Sequence, residues 1–139
     1  MFGILCVFMV LLGYIPSFTV GYGYLFGIYK VDMWDDILHI TSALLAATVA
    51  FYSTNATILF FKTIGTLYLL DGIFGFFFEH GFLDLSIFLH KTAAFGPGLR
   101  LAANTPHLLI GLFALYVGFV LGRKYVPSTY LAGEKINVP

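Results

Sequence analysis

The chain has 139 residues, of which 60% are hydrophobic and only 10% charged, and its mean hydropathy is +0.93. A soluble domain carries about 25% charged residues, and a fold this small cannot hide so much apolar surface in its own core, so the composition points to an integral membrane protein with the lipid bilayer as solvent. Seven basic and seven acidic residues cancel, and with no basic run there is no nucleic-acid partner to expect; a single cysteine, Cys6, excludes a disulfide framework and a thiolate metal cluster.

The first apolar segment is Phe2 to Ile15, ended near Pro16. It lacks the positive leader and the small-residue cleavage pattern of a signal peptide, so it reads as a retained helix, with Cys6 as a small buried hydrophobe. A full span needs about 20 residues, so natural residues are expected ahead of Met1. The second segment, Trp34 to Tyr52, is opened by Asp35 and Asp36, which suit a helix N-terminus through capping and the macrodipole. The third, Ala56 to Phe78, follows the turn and cap cluster "STN". The fourth, Thr105 to Tyr125, is expected to start on an Asn104 N-cap with Pro106 in its first turn, and to close on Arg123 and Lys124.

The expected fold is all-α: a four-transmembrane-helix bundle over residues 1–125, followed by a polar C-terminal tail, residues 126–139. Helices two and three are joined by a few residues and form an antiparallel hairpin. The two long connections, Pro16 to Met33 and Glu79 to Ala103, then share one face, and each is a place for a short interfacial helix because aromatic residues favour the membrane–water boundary. Lys62, Arg123, Lys124 and Lys135 lie on the other face, against Lys30, Lys91 and Arg100 on the long-loop face. By the positive-inside rule this places both termini in the cytoplasm, in a bacterial inner membrane. Asp32, Asp35, Asp36, Glu79 and Asp84 belong to the long-loop side, Glu134 to the tail, and Asp71 falls within the third helix.

An internal repeat is visible when His39 is set on His107. Asp36 then falls on Asn104, Ala43 on Gly111, Leu44 on Leu112, Ala46 on Ala114, Val49 on Val117 and Phe51 on Phe119. "LLGYIPSF" and "IFGFFFEH" echo each other more weakly at the exits of helices one and three. The chain reads as two pseudo-symmetric helix–long loop–helix units related by an axis along the membrane normal. The same marks, "LLGYIP", Asp36-Ile37-Leu38-His39, "LYLLDGIFGF" and "NTPHLLIGLFAL", resemble a bacterial four-helix integral membrane family catalogued only as a domain of unknown function. The resemblance spans roughly residues 7 to 120, and the polar-x-x-His marks are its specific part. In that family the first mark often reads Asn-x-x-His or His-x-x-His, and the last often reads "NTADN" before the histidine. Pro106 and "LSIFLHKTAAFGPGLR" depart from the pattern. The resemblance implies a four-span fold and no particular activity.

His39 and His107 are the candidate site. Each is expected one turn inside a helix, three residues after Asp36 or Asn104 and therefore on the same helix face as that residue. In one reading Asp36 and Asn104 cap the helices and brace the rings, and the histidines join the bundle by hydrogen bonds. In the other, the two imidazoles face each other and hold a haem iron, or each carries one chlorophyll-type pigment, or together with Asp36 and Glu79 they bind a transition metal, with His80 and His90 as further candidate ligands and Asp36 and Asn104 as the groups bracing the far ring nitrogens. The small residues Ala43, Ala46, Gly111 and Ala114 are expected to bring helices two and four close together, with the loop carrying Glu79, His80 and Asp84 as a roof. Asp71, an acid inside a span beside Gly72 and Gly75, either hydrogen-bonds across the bundle as a neutral carboxyl or handles protons. Lys62, nine residues earlier, snorkels to the short-turn interface.

Nine tyrosines and sixteen phenylalanines suit belts, lipid contact and packing against partners. No nucleophile elbow, phosphate loop or paired-carboxylate signature appears. The leading expectation is a small non-enzymatic subunit that assembles with other membrane protein subunits of a larger complex. The alternatives are a cofactor binder ligated by His39 and His107, and a small transporter or proton conduit centred on Asp71.

Overall fold

The structure, a computed structural model, describes residues 2–20, 24–30, 33–89 and 96–125. The chain is all-α in class. Its helices are α1 (Phe2–Gly13), α2 (Met33–Tyr52), α3 (Thr54–Phe78), the short α4 (Ser86–Leu89) and α5 (Pro97–Leu115). A π-helical turn, Tyr116–Leu121, and a 3-10 turn, Gly122–Lys124, extend α5. The polar tail, His90 and Lys91 lie outside the described residues.

Two helices are long and apolar enough to cross a membrane: α3 and the continuous helix Pro97–Lys124, of 25 and 28 residues. At 1.5 Å per residue they reach about 37 and 42 Å, beyond the ~30 Å hydrocarbon core. Each helix still exposes large apolar side chains, among them Ile4, Leu44, Phe77 and Leu109.

The first long connection holds no helix among its described residues. Its segments β1 (Thr19–Val20), β2 (Tyr24–Leu25) and β3 (Tyr29–Lys30) pair antiparallel as a small sheet in that order. "TVGYGYLFGIYK" sets β-branched and aromatic residues among glycines, which favours hairpins over a helix. The chain reverses after β2 where Phe26 and Gly27 both take positive φ, 53° and 73°. Leu25 anchors the sheet with 1% of its surface exposed. The second connection does carry the short helix expected of it, α4.

The start of α5 differs from the sequence expectation. The helix begins eight residues earlier than Thr105, at Pro97 behind an extended Gly96. Proline at the first helical position brings its fixed φ and loses no needed N–H, and Leu99 to Ala103 are good helix formers. Asn104 is therefore a mid-helix residue and not an N-cap, and Pro106 lies inside the helix. Beside that proline, the Thr105 hydroxyl donates to the Leu101 carbonyl at 2.7 Å, the kind of bond that tolerates a break in the backbone ladder. Ser53 alone separates α2 from α3, and its Oγ caps α3 by accepting from Ala56 N–H at 3.1 Å.

The tightest packing joins α3 and α5. Gly122 meets Ile58, Gly118 meets Lys62, and Gly72 meets Leu108, so the two helices run antiparallel. At Gly111 a Cβ would stand 2.5 Å from the Leu69 nitrogen, so the backbones touch there. The small residues thus serve other pairings than the expected approach of helices two and four. Ala43 faces Gly3 of α1, and Gly111 faces α3. Ala43 and Ala114 share one apolar cluster with Phe2 and Cys6, whose thiol is free. The Lys62 ammonium sits over the Phe119 ring, 4.8 Å from its centroid.

Because neither backbone can retreat at Gly111, Gly111→Val is expected to destabilise the protein by about 1–3 kcal/mol through overpacking. Gly98→Ala, at a position with open space, is the control and is expected to leave stability unchanged. Thermal unfolding of both variants in detergent checks this.

Candidate functional site

The N-terminal turns of α2, the second half of α3 and the middle of α5 meet in a buried polar cluster. His39 and His107 face each other there, ring centroids 6.0 Å apart and planes tilted by 45°. His39 is 3% exposed. His107 lies ten residues beyond Pro97, deeper in its helix than the expected single turn, because α5 starts early. Tyr68, with no exposed surface, stands edge-on to both rings, 5.2 Å from His107 and 6.2 Å from His39. Its hydroxyl is within 3.0 Å of the Ser42 Oγ.

Helical spacing explains which side chains arrive. Ser42 follows His39 by three positions, and Asp71 follows Tyr68 by three, so each pair shares a helix face. Asp71 is fully buried. Its Oδ2 is 2.5 Å from His107 Nδ1, and its Oδ1 accepts from the backbone N–H groups of Phe82, at 2.6 Å, and Leu83, at 2.8 Å. The carboxylate therefore joins α3, α5 and the loop after α3. That loop reaches back because Glu79 takes a left-handed conformation, φ 74°, at the end of α3. Gly81 lets it close, since a Cβ there would stand 2.5 Å from Asp71 Oδ2.

The bracing of the histidines differs from the sequence expectation. His39 Nδ1 is 2.9 Å from the Asp35 carbonyl oxygen and 3.4 Å from Asp35 Oδ1. A carbonyl oxygen only accepts, so Nδ1 carries the proton. Asp36, expected to brace this ring, instead accepts from the Tyr14 hydroxyl at 2.7 Å through Oδ2. Asn104, expected to brace His107, donates to the Arg100 carbonyl at 2.9 Å, and its amide fills the space left by Gly75. The brace on His107 is Asp71. In both cases a group from another element, or one full turn earlier, lies closer to the ring.

Glu79 and His80 do not join the histidines. Glu79 is paired with Arg100, which also donates to the Phe77 carbonyl at 3.1 Å and so satisfies an open carbonyl at the end of α3. The residues within ligand reach of one another are Asp35, His39 and His107, each offering one atom within 4.8 Å of the others. His90 falls outside the described residues.

Two buried atoms in this region have no hydrogen-bond partner among the described residues: Asp36 Oδ1 and His39 Nε2. An unsatisfied buried polar atom costs about 1–3 kcal/mol. Sequence reasoning missed Tyr68, Ser42 and Tyr14, having assigned the tyrosines to belts. The signal was present in the i, i+3 spacings from His39 and Asp71.

Compared with protein-family models, curated proteins and solved structures, the chain matches none.

With Asp71 removed, two loop amides and an imidazole lose their acceptor at once. Asp71→Ala is expected to cost about 2–4 kcal/mol. Amide exchange at Phe82 and Leu83 is expected to accelerate while amides of the α1–α2 pair keep their protection. Hydrogen exchange with thermal unfolding checks both.

Proposed function

We propose that the chain is a small non-enzymatic integral membrane protein that crosses the bilayer four times and acts as an accessory or assembly subunit beside a larger membrane complex. On this reading α1, α2, α3 and the continuous α5 helix are the spans, arranged as two pseudo-symmetric helix–long loop–helix units. The pairings α1 with α2 and α3 with α5 fit such units, each built on close small-residue contact: Gly3 on Ala43, and Gly111 on Leu69.

The observation that carries the reading is an open apolar groove of about 750 Å³ between α1 and α2, floored by Ala43, Ala46, Ala47 and Ala50 and walled by Phe8 and Leu44. A run of alanines at helical spacing leaves a channel the width of a side-chain ridge, where a neighbouring helix can interdigitate. A proton conduit centred on Asp71 is the weaker reading. Both oxygens of that carboxylate are engaged with three donors, and no part of it is exposed, which suits a clasp and not a carrier.

A photo-crosslinking residue at Ala47, in the groove, tests the proposal in native membranes. The expected outcome is one discrete adduct of defined mass with another membrane protein, absent when the probe stands at Leu59, an exposed α3 position outside the groove lining. Lipid adducts alone, or the same pattern from both positions, contradict it.

A further inference from the structure

We propose that Asp35, His39 and His107 form a binding site for one divalent first-row transition ion, of the zinc or ferrous class. This goes beyond the subunit reading and does not depend on what the protein packs against.

Each imidazole has one ring nitrogen engaged. The Asp35 carbonyl holds the proton of His39 on Nδ1, and Asp71 engages Nδ1 of His107. In each neutral ring the lone pair then sits on Nε2. For His39 that atom is buried and has no partner among the described residues, although the ring is nearly inaccessible to water. His107 Nε2 makes no hydrogen bond to any described residue. Two imidazoles whose far nitrogens are fixed by a carboxylate and a carbonyl are in the arrangement that orients metal-ligating histidines.

The donor set selects the ion. Two imidazole nitrogens and one carboxylate oxygen suit zinc or ferrous iron, whereas calcium and magnesium prefer oxygen. Donors held at about 2.0–2.1 Å in a tetrahedron stand about 3.3 Å apart. Asp35, His39 and His107 each offer one donor atom within 4.8 Å of the others, so ligation needs a contraction of up to roughly 1.5 Å, with the Asp35 carboxylate moving from the Nδ1 side of His39 toward Nε2. Charge agrees as well. Asp35 supplies one negative charge directly, while Asp71 behind His107, and Asp36 with its unpartnered Oδ1, take no Lys or Arg partner among the described residues. Tyr68, fully buried, stands edge-on to both imidazoles and flanks the site. In this site Asp71 is a positioning residue: it holds the ring of His107 and does not touch the ion.

The test uses the full chain in mild detergent, with any affinity tag removed and bound metals stripped by chelation. Zinc is titrated by equilibrium dialysis and cobalt(II) by its visible absorption. The expected result is about one ion per chain, with a cobalt band of four-coordinate type. His39→Gln and His107→Gln are expected to abolish binding, and His80→Gln to leave it unchanged. Asp71→Asn keeps an oxygen for the Phe82 and Leu83 amides, so it is expected to fold, yet to weaken zinc about 10–100-fold. Should a histidine variant not fold, Asp35→Asn, on a half-buried side chain, carries the test through its cobalt spectrum. A wild-type protein that takes up no ion overturns the proposal. So does binding that persists when both histidines are replaced, or an unchanged cobalt spectrum in Asp35→Asn.

Discussion

A carboxylate with no exposed surface must be surrounded by donors, and the arrangement around Asp71 follows from that requirement. An unpaired buried charge costs several kcal/mol, more than one interhelical contact returns. Three donors answer it: the imidazole of His107 from α5 and the amides of Phe82 and Leu83 from the returning loop. The loop arrives through the left-handed turn at Glu79 and closes over Gly81. Once His107 is fixed to Asp71, the register of α5 on α3 is fixed as well. Asn104 then falls on Gly75, Leu108 on Gly72, and Gly111 on Leu69. Arg100, bound to Glu79 and to the Phe77 carbonyl, fastens the same joint one further turn along.

The polar side chains are concentrated at one end of the helices. Tyr14 with Asp36, Ser42 with Tyr68, His39 with Asp35, and Asp71 with its donors all belong to the end that carries the long connections. Toward the other end α3 and α5 meet through glycines and aliphatic side chains, and Lys62 rests on the Phe119 ring. α3 and the continuous α5 helix are long and apolar enough to cross a membrane, and in a bilayer apolar contact between helices would gain little from the hydrophobic effect, so that close packing at small residues and a few interhelical hydrogen bonds would have to hold them together. One end supplies the bonds and the other the close packing. The same polar end brings two imidazoles together, and it leaves His39 Nε2 with a lone pair and no partner among the described residues.

Local pattern made much of this legible in the sequence. The helical class, the α2–α3 hairpin and the short helix in the second connection follow from apolar run lengths and turn residues. His39 and His107 do meet, as their shared register suggested, but the small residues expected to bring them together serve other pairings, Ala43 with α1 and Gly111 with α3. What failed depended on distant partners or on a competing start signal. Asn104 has the chemistry of a cap, but Pro97 behind Gly96 starts the helix first, and Leu99 to Ala103 are good helix formers. The pairing of Asp71 with His107 spans 36 positions. It depends on the antiparallel register of α3 and α5, which no local pattern encodes. An acid inside an apolar helix did announce that a partner must exist. The glycine- and tyrosine-rich connection was read for its aromatic content and not for its hairpin-forming glycines, so its small sheet was missed.

The central claim is that Asp71 and His107 act as one unit holding α3, α5 and the loop together. A double-mutant cycle tests it most directly, with Asp71→Asn, His107→Gln and the double variant compared by unfolding free energy in the same detergent. The account predicts a coupling energy of about 1–3 kcal/mol, so that the double variant is much less destabilised than the sum of the two single changes. Additive effects, within about 0.5 kcal/mol, would contradict it and would leave the register of α5 to the glycine contacts alone.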